Sequence, residues 1–304
     1  SVLAGYSGSI VNTSSSTISL SSFTMNFGSF YATGSTITIG AGGFRLSSGT
    51  FTGGTANMTI NGRYAISGGA YTSTSGTVMI SPTSAASLTG FSVTGGTFSD
   101  GNGTISFLPV LGNCSTDLTI DVNTSITFNN LTLGLGAHCG SNDFNISTGD
   151  TLIVDGTLTV NLPGDAGLMG PGQIDAAGPV VVGTGLSRVL SSGKVRMNGA
   201  SAQTITTSGG GLPVLEIDNT NGVMVSGANL EIRKLILTNG TFTAPTGTLS
   251  IGMQDAASYN LISVAAGAIF AHNNGTVELQ PLQDCGFESI INADTSITFY
   301  NLKL

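Results

Sequence analysis

Few side chains in this 304-residue sequence could do acid–base, nucleophilic or metal chemistry: 16 Asp and Glu, 8 Lys and Arg, 2 His and 3 Cys. The most suggestive acidic pair is Asp150 and Asp155, with Asp143 nearby. A polysaccharide-cleaving enzyme needs two or three carboxylates, or an acid with a base, converging on one groove. These acids flank Leu152-Ile153-Val154, where Asp is an ordinary turn residue, and the turn reading is preferred. Asp117 and Asp121 can share one strand face as solvated decoration.

The two histidines, His138 and His272, have no partner at metal spacing and no HExxH frame. A nucleophilic triad would need one of them beside an activated Ser and an acid. No GxSxG elbow occurs with a helix after it, so both read as loop residues. Asp100-Gly101-Asn102-Gly103 is the nearest text to a calcium-binding Gly-Gly-x-Gly-x-Asp repeat, but it occurs once and reads as a tight turn. Ser208-Gly209-Gly210-Gly211-Leu212-Pro213 has no Lys after it and reads as a corner, not a phosphate cradle. Arg233 and Lys234 are adjacent and the other bases are scattered, with no stripe. Asn12, Asn57, Asn102, Asn113, Asn123, Asn130, Asn145, Asn239 and Asn274 each begin Asn-x-Ser/Thr; corner Asn beside strand Thr explains them without glycosylation. The expectation is a chain with no catalytic residue, no cofactor and no metal.

Composition narrows the elements that hold these residues. Charged residues are 8%, against about 25% in an ordinary domain, so long amphipathic helices lack their surface. The net charge of −8 argues against nucleic acid, which requires clustered Lys and Arg. Mean hydropathy is +0.32, yet no run approaches the length of a membrane-spanning helix, and the alternating stretches are short for a transmembrane barrel. No signal peptide precedes Ser1-Val2-Leu3, so an exported form would be processed or excised.

Repeats supply the architecture. Ile18-Ser19-Leu20, Ile37-Thr38-Ile39, Met58-Thr59-Ile60, Val78-Met79-Ile80, Ile105-Ser106-Phe107 and Ile126-Thr127-Phe128 follow one another at steps of 19, 21, 20, 27 and 21. Leu158-Thr159-Val160, Leu249-Ser250-Ile251, Val277-Glu278-Leu279 and Ile297-Thr298-Phe299 continue the style. Gly-Thr-Phe or a variant recurs at Gly49, Gly69, Gly96 and Gly240. Alternation over three to five residues means short strands with one buried face. The step fits one coil of a β-solenoid built from two or three strands with Gly and Asn at the corners. Ile39, Ile60 and Ile80 should then stack in one inward column. Stacked coils also explain the missing charges, because like charges would align at the strand spacing.

A longer repeat lies above this one. Gly76–Ile80, Ala85–Val93 and Thr124–Leu133 match Gly247–Ile251, Ala256–Val264 and Thr295–Leu304 at an offset of 171, and Cys114 falls on Cys285. The duplication covers 60–133 against 231–304, giving a first repeat unit over 1–133 and a second, continuous with it, over 134–304. The fold class is therefore all-β: an elongated, right-handed parallel β-solenoid with coils of roughly 20–27 residues.

Leu237-Thr238-Asn239-Gly240-Thr241-Phe242-Thr243-Ala244-Pro245-Thr246-Gly247-Thr248-Leu249, followed by Phe299-Tyr300-Asn301-Leu302, resembles the repeats of bacterial cell-surface β-solenoid proteins of the adhesin and autotransporter-passenger kind. The resemblance is to a style of repeat over most of the chain and carries no site residues. It implies a non-enzymatic, extracellular structural or adhesive segment. The partners would be glycans or surfaces met by Thr/Ser/Asn faces, or neighbouring copies end to end. The alternatives are a self-assembling filament subunit and a polysaccharide-cleaving β-helix enzyme.

Solenoid geometry also bears on the cysteines. Cys114 and Cys139 are 25 residues apart, close to one long coil, and neighbouring rungs lie about 4.8 Å apart, within disulfide range. A Cys114–Cys139 bridge in an oxidising compartment is expected. By the 171 offset the counterpart of Cys139 falls at position 310, beyond Leu304, so Cys285 is expected to be unpaired within this sequence.

Overall fold

The computed structural model describes residues 8–12, 17–83, 88–110, 117–136, 143–162, 167–184, 193–252, 259–280 and 289–304. Among them every regular element is a β-strand, the strands pair in parallel, and no sheet closes into a barrel. The protein is a parallel β-solenoid. Cys114, Cys139, Cys285 and His138 lie outside the described residues. By packing, the chain divides into two compact units, Ser1–Asp155 and Gly156–Leu304.

In the first unit each early coil carries three strands. The first stack runs Ile18–Leu20, Ile37–Ile39, Met58–Ile60, Thr77–Ile80, Thr104–Phe107 and Asn130–Gly134. Leu20, Ile39, Ile60, Ile80, Phe107 and Leu133 share one register position in it. The expected inward column is present. Ile126 is not part of it. Ser125–Phe128 pairs with Thr151–Val154, and Leu131 takes the place opposite Ile105. The coils here take 27 residues (Val78 to Ile105) and then 26 (Ile105 to Leu131), so a step of 21 from Ile105 falls short of the next rung and lands on a different face.

The second stack contains Phe23–Met25, Phe44–Leu46, Leu118–Val122, Phe144–Ile146 and the opening residues of Tyr64–Thr72 and Leu88–Ser99. The third contains Ser9–Val11, Ser29–Tyr31, Thr50–Thr52 and the closing residues of the same two long strands. Register at the strand spacing turns repeated aromatics into ladders. Phe23, Phe44, Tyr64 and Phe91 stack at 5.1, 5.1 and 4.9 Å. Phe30, Phe51, Tyr71 and Phe98 stack at 5.5, 5.2 and 5.4 Å. The ladders meet edge to face, as at Phe44–Phe51 (5.1 Å, 81°). This buried aromatic seam, together with the Ile/Leu/Val column, is the core of the unit.

In the second unit one stack runs from Leu158–Asn161 through Val180–Val182, Gln203–Thr207, Val223–Ser226 and Thr241–Thr243 to Ile269–Ala271. The other runs from Gln173–Ala176 through Lys194–Met197, Gly211–Asp218, Asn229–Asn239, Thr248–Gly252 and Thr276–Gln280 to Asn301–Lys303. Tyr259–Val264 and Ser289–Ala293 branch from Asn229–Asn239.

The internal duplication is written in the register as well as in the sequence. Tyr64-Ala65-Ile66 pairs with Phe44-Arg45-Leu46, and Leu235-Ile236-Leu237 pairs with Leu215-Glu216-Ile217. A β-bulge interrupts the ladder between Thr89 and Phe91, and another between Asn260 and Ile262, at the same offset of 171. Gly69 and Gly240, also one offset apart, both turn the chain at positive φ (79° and 74°), a conformation that favours glycine. The correspondence thus reaches back to Phe44, further than residue matching alone supports.

Candidate functional site

The polar face of the second stack in the first unit forms a groove. Thr24, Arg45, Ala65, Ser92 and Asp121 occupy one outward column, each opposite the next in register. They point outward because their neighbours Phe44, Leu46, Tyr64 and Ile66 point into the aromatic core. Five rungs at the strand spacing make the column about 19 Å long. Asn26, Ser47 and Ser67 line one side, and Arg63 and Thr89 line the other. The groove volume is ≈560 Å³. The dip comes from side-chain size, since Ala65 and Ser92 stand between longer residues in the column.

Two bases and one acid line it. Residues 1–99 contain no acid, and Arg45 and Arg63 are the only bases in 1–155. Both are exposed and both line the groove. Arg63 Nε donates to the Thr89 carbonyl oxygen at 2.9 Å. The bulge between Thr89 and Phe91 sits at this contact and re-aims the strand there. That bond fixes the guanidinium through one nitrogen and leaves its two terminal amino groups for other acceptors. Among the described residues the Arg45 guanidinium has no ion pair and no hydrogen bond. Asp121 supplies the one carboxylate, three rungs from Arg45.

The matching face of the second unit has been closed. Its column reads Arg196, Glu216, Ile236, Ser263 and Asn292. Glu216 replaces Arg45 and is held by Lys194 Nζ at 2.8 Å and by the Thr238 hydroxyl at 3.0 Å. Arg196 forks onto Asp175, with Nε at 3.0 Å from Oδ1 and a terminal nitrogen on Oδ2. The Asp175 carboxylate raises the Arg196 pKa further, against an opposing effect of burial. Ile236 stands where Ala65 leaves the dip. Lys234 stands where Arg63 does, and burial lowers its pKa.

Of the acids singled out in the sequence, Asp150 and Asp117 hold backbone amides. Asp150 is buried, and its Oδ2 accepts from the Val122 N–H at 2.7 Å. Burial raises its pKa, the Val122 N–H opposes this, and the nearby Asp121 charge adds to it. Asp117 Oδ1 accepts from the Asp143 N–H at 3.2 Å, across one coil. Asp155 is exposed at a bend. Asp150, Asp143 and Asp155 therefore act as corner residues, and Asp121 alone reaches the groove. His272 sits at a turn where its Nδ1 accepts from the Asn274 N–H at 3.0 Å. Asp100–Gly103 is a tight turn closed by the Asn102 N–H on Asp100 Oδ1 at 3.2 Å. Ser208–Gly210 is also a turn, with the Gly209 N–H on the Thr207 hydroxyl at 2.9 Å. Among the sequon residues, Asn57 Oδ1 accepts from the Thr77 N–H at 2.9 Å and Asn239 Nδ2 donates to Asp218 at 2.6 Å, both across one coil. Among the described residues no three His, Cys, Asp or Glu side chains cluster as metal ligands.

Sequence reading passed over Arg45 and Arg63 as scattered bases. The available signal was the 171 offset applied to charge, which sets Arg45 against Glu216 and Arg63 against Lys234. Fold and groove together define a parallel β-solenoid with one open, cationic polar face. Comparison with protein-family models, characterised proteins and solved structures gave no match.

Proposed function

We propose that the chain is a non-enzymatic structural and adhesive β-solenoid segment that works outside the cell and binds extended glycans. The observation that carries this reading is the five-rung groove of hydroxyls and arginines on an otherwise repetitive, in-register face. A groove about 19 Å long, with a donor or acceptor on nearly every rung, suits a linear chain held by many modest hydrogen bonds. The shape comes preformed, because the groove is built on strands whose inner faces are locked in the aromatic core. The acids support binding over hydrolysis: among the described residues Asp121 is the one carboxylate that lines the groove, with no second acid beside it, while Asp117 and Asp150 hold backbone amides and Asp175 and Glu216 hold bases. The repeat style, similar to that of surface adhesins, supports the extracellular setting.

The test incubates the purified chain with a panel of plant, bacterial and animal polysaccharides. Retention and product formation are both recorded. The expected result is retention on at least one polysaccharide with no new reducing ends and no unsaturated products. Turnover abolished by Asp150→Asn would establish the enzyme alternative instead.

A further inference from the structure

We propose that the groove of the first unit is a binding site for carboxylated polysaccharides, with Arg45 and Arg63 taking the acid groups of a uronate chain. The proposal rests on the glycan-binding reading above and narrows it to one ligand chemistry.

Three observations carry it. First, all the positive charge of 1–155 is placed in this groove, and the 99 residues that build most of it contain no acid. Second, the two arginines stand on adjacent rungs, because Arg45 lies opposite Ala65 and Arg63 lies two residues before Ala65. That separates their backbones by about 4.8 Å along the stack and about 6.6 Å along the strand. Arg63 is oriented by Thr89 and offers a planar fork, the geometry that matches a carboxylate through two N–H donors. Third, the chain contains its own comparison. The duplicated face has the same bulge and register, but its charges are neutralised by Lys194–Glu216 and Arg196–Asp175 and its dip is filled by Ile236. An arginine kept exposed on one copy while the other copy carries a neutralised glutamate marks the first face as the one that meets an external anion.

Nucleic acid is the other polyanion to consider. Two arginines do not make the extended phosphate-neutralising stripe it requires, and no aromatic side chain lines the groove for bases to stack on. A uronate chain carries one charge per sugar and presents hydroxyls between charges, which Thr24, Ser47, Ser67 and Ser92 can meet.

The test is titration calorimetry on the full chain with polygalacturonate, with the same polymer fully methyl-esterified, with a neutral galactan and with single-stranded DNA. Arg45→Gln, Arg63→Gln and the double variant are measured beside wild type, each first shown to keep its melting temperature. Lys194→Gln serves as a control on the closed face. The expected result is binding of polygalacturonate that weakens about tenfold with each single variant and is lost with both, as expected for charge-assisted hydrogen bonds. Methyl esterification should remove it, and Lys194→Gln should leave it unchanged. Equal binding of the esterified or neutral polymer, insensitive to either arginine, overturns the proposal and leaves the general glycan-binding reading standing. Tighter binding of DNA than of the uronate polymer overturns it in favour of nucleic acid. Absence of binding to every polymer overturns both readings.

Discussion

Arg45 and Glu216 occupy one position in two copies of the same repeat: Arg45 pairs with Ala65 as Glu216 pairs with Ile236. The charge is reversed and so is its fate. Glu216 is held by Lys194 and Thr238, whereas the exposed Arg45 forms no ion pair and no hydrogen bond with a described residue. Stacked strands bring outward residues of successive coils within about 5 Å, so a charge on one rung is either answered by the next rung or left for a ligand. On the matching faces, Glu216 and Arg196 are answered by Lys194 and Asp175, and Arg45 is not answered by a described residue.

The paired glycines give a sharp test of the coil geometry. A methyl group on Gly240 would strike the Asn219 carbonyl oxygen, in a backbone already at φ 74°. Gly240→Ala is expected to lower stability by about 2 kcal/mol or more, from left-handed strain plus overlap with fixed backbone. Gly34→Ala is the control, since a Cβ there meets nothing within 4 Å. It should be neutral or raise stability by about 0.4–1 kcal/mol through the unfolded state. Denaturation midpoints of both variants decide this, and equal effects would contradict the structure at Gly240.

Asp150 should make stability depend on pH in a definite direction. Burial raises its folded pKa above the unfolded value of about 3.9, so the native state holds the proton to higher pH. Its contribution is fully present below that unfolded value and is lost as pH rises through the folded pKa. Asp150→Asn keeps an oxygen for the Val122 N–H and removes the ionisation. Measured from pH 3 to pH 7, the melting temperature of the variant should therefore rise relative to that of wild type, equalling or exceeding it at neutral pH. A variant markedly less stable than wild type at pH 7 would contradict this assignment.

The ion pairs of the second unit should differ in worth. Asp175 is 9% exposed beneath an Arg196 that is 29% exposed. Arg196→Ala would remove the charge partner of a largely buried carboxylate, which keeps the Gln173 Nε2 donor at 2.8 Å, at a cost of about 2–4 kcal/mol. Lys303 is 66% exposed on Glu278, and Lys303→Ala should cost less than about 1 kcal/mol. Raising salt should weaken the second effect more than the first. Urea denaturation at two salt concentrations would measure both, and equal costs would count against the distinction.

The fold was legible because the inward column repeats in plain sight. Ile39, Ile60 and Ile80 carry the coil length directly in their spacing, and stacking forces like residues into one position. Legibility ended where a long coil carried a second strand of the same pattern. Ile126 has the right neighbours and the right step, yet Leu131 holds the position, because a coil of 26 residues inserts a strand on another face. The aromatic ladders were partly visible as Gly-Thr-Phe, but Phe23, Phe44, Tyr64 and Phe91 share no local motif and align only in register. The groove was hidden for the same reason. Thr24, Arg45, Ala65, Ser92 and Asp121 each come from a different coil, so their adjacency is a property of pairing rather than of spacing.

The claim that this shaped, cationic face is what binds is tested most directly by filling it without touching its charge. Ala65→Ile copies the residue that the second unit carries at the same position, Ile236, and leaves Arg45 and Arg63 in place. The measurement is the affinity of the full-length variant for polygalacturonate by titration calorimetry, with its melting temperature as the folding control. The account predicts that the melting temperature stays within a few degrees of wild type while affinity falls by about tenfold or more. A folded Ala65→Ile protein that binds the polymer as tightly as wild type would contradict it.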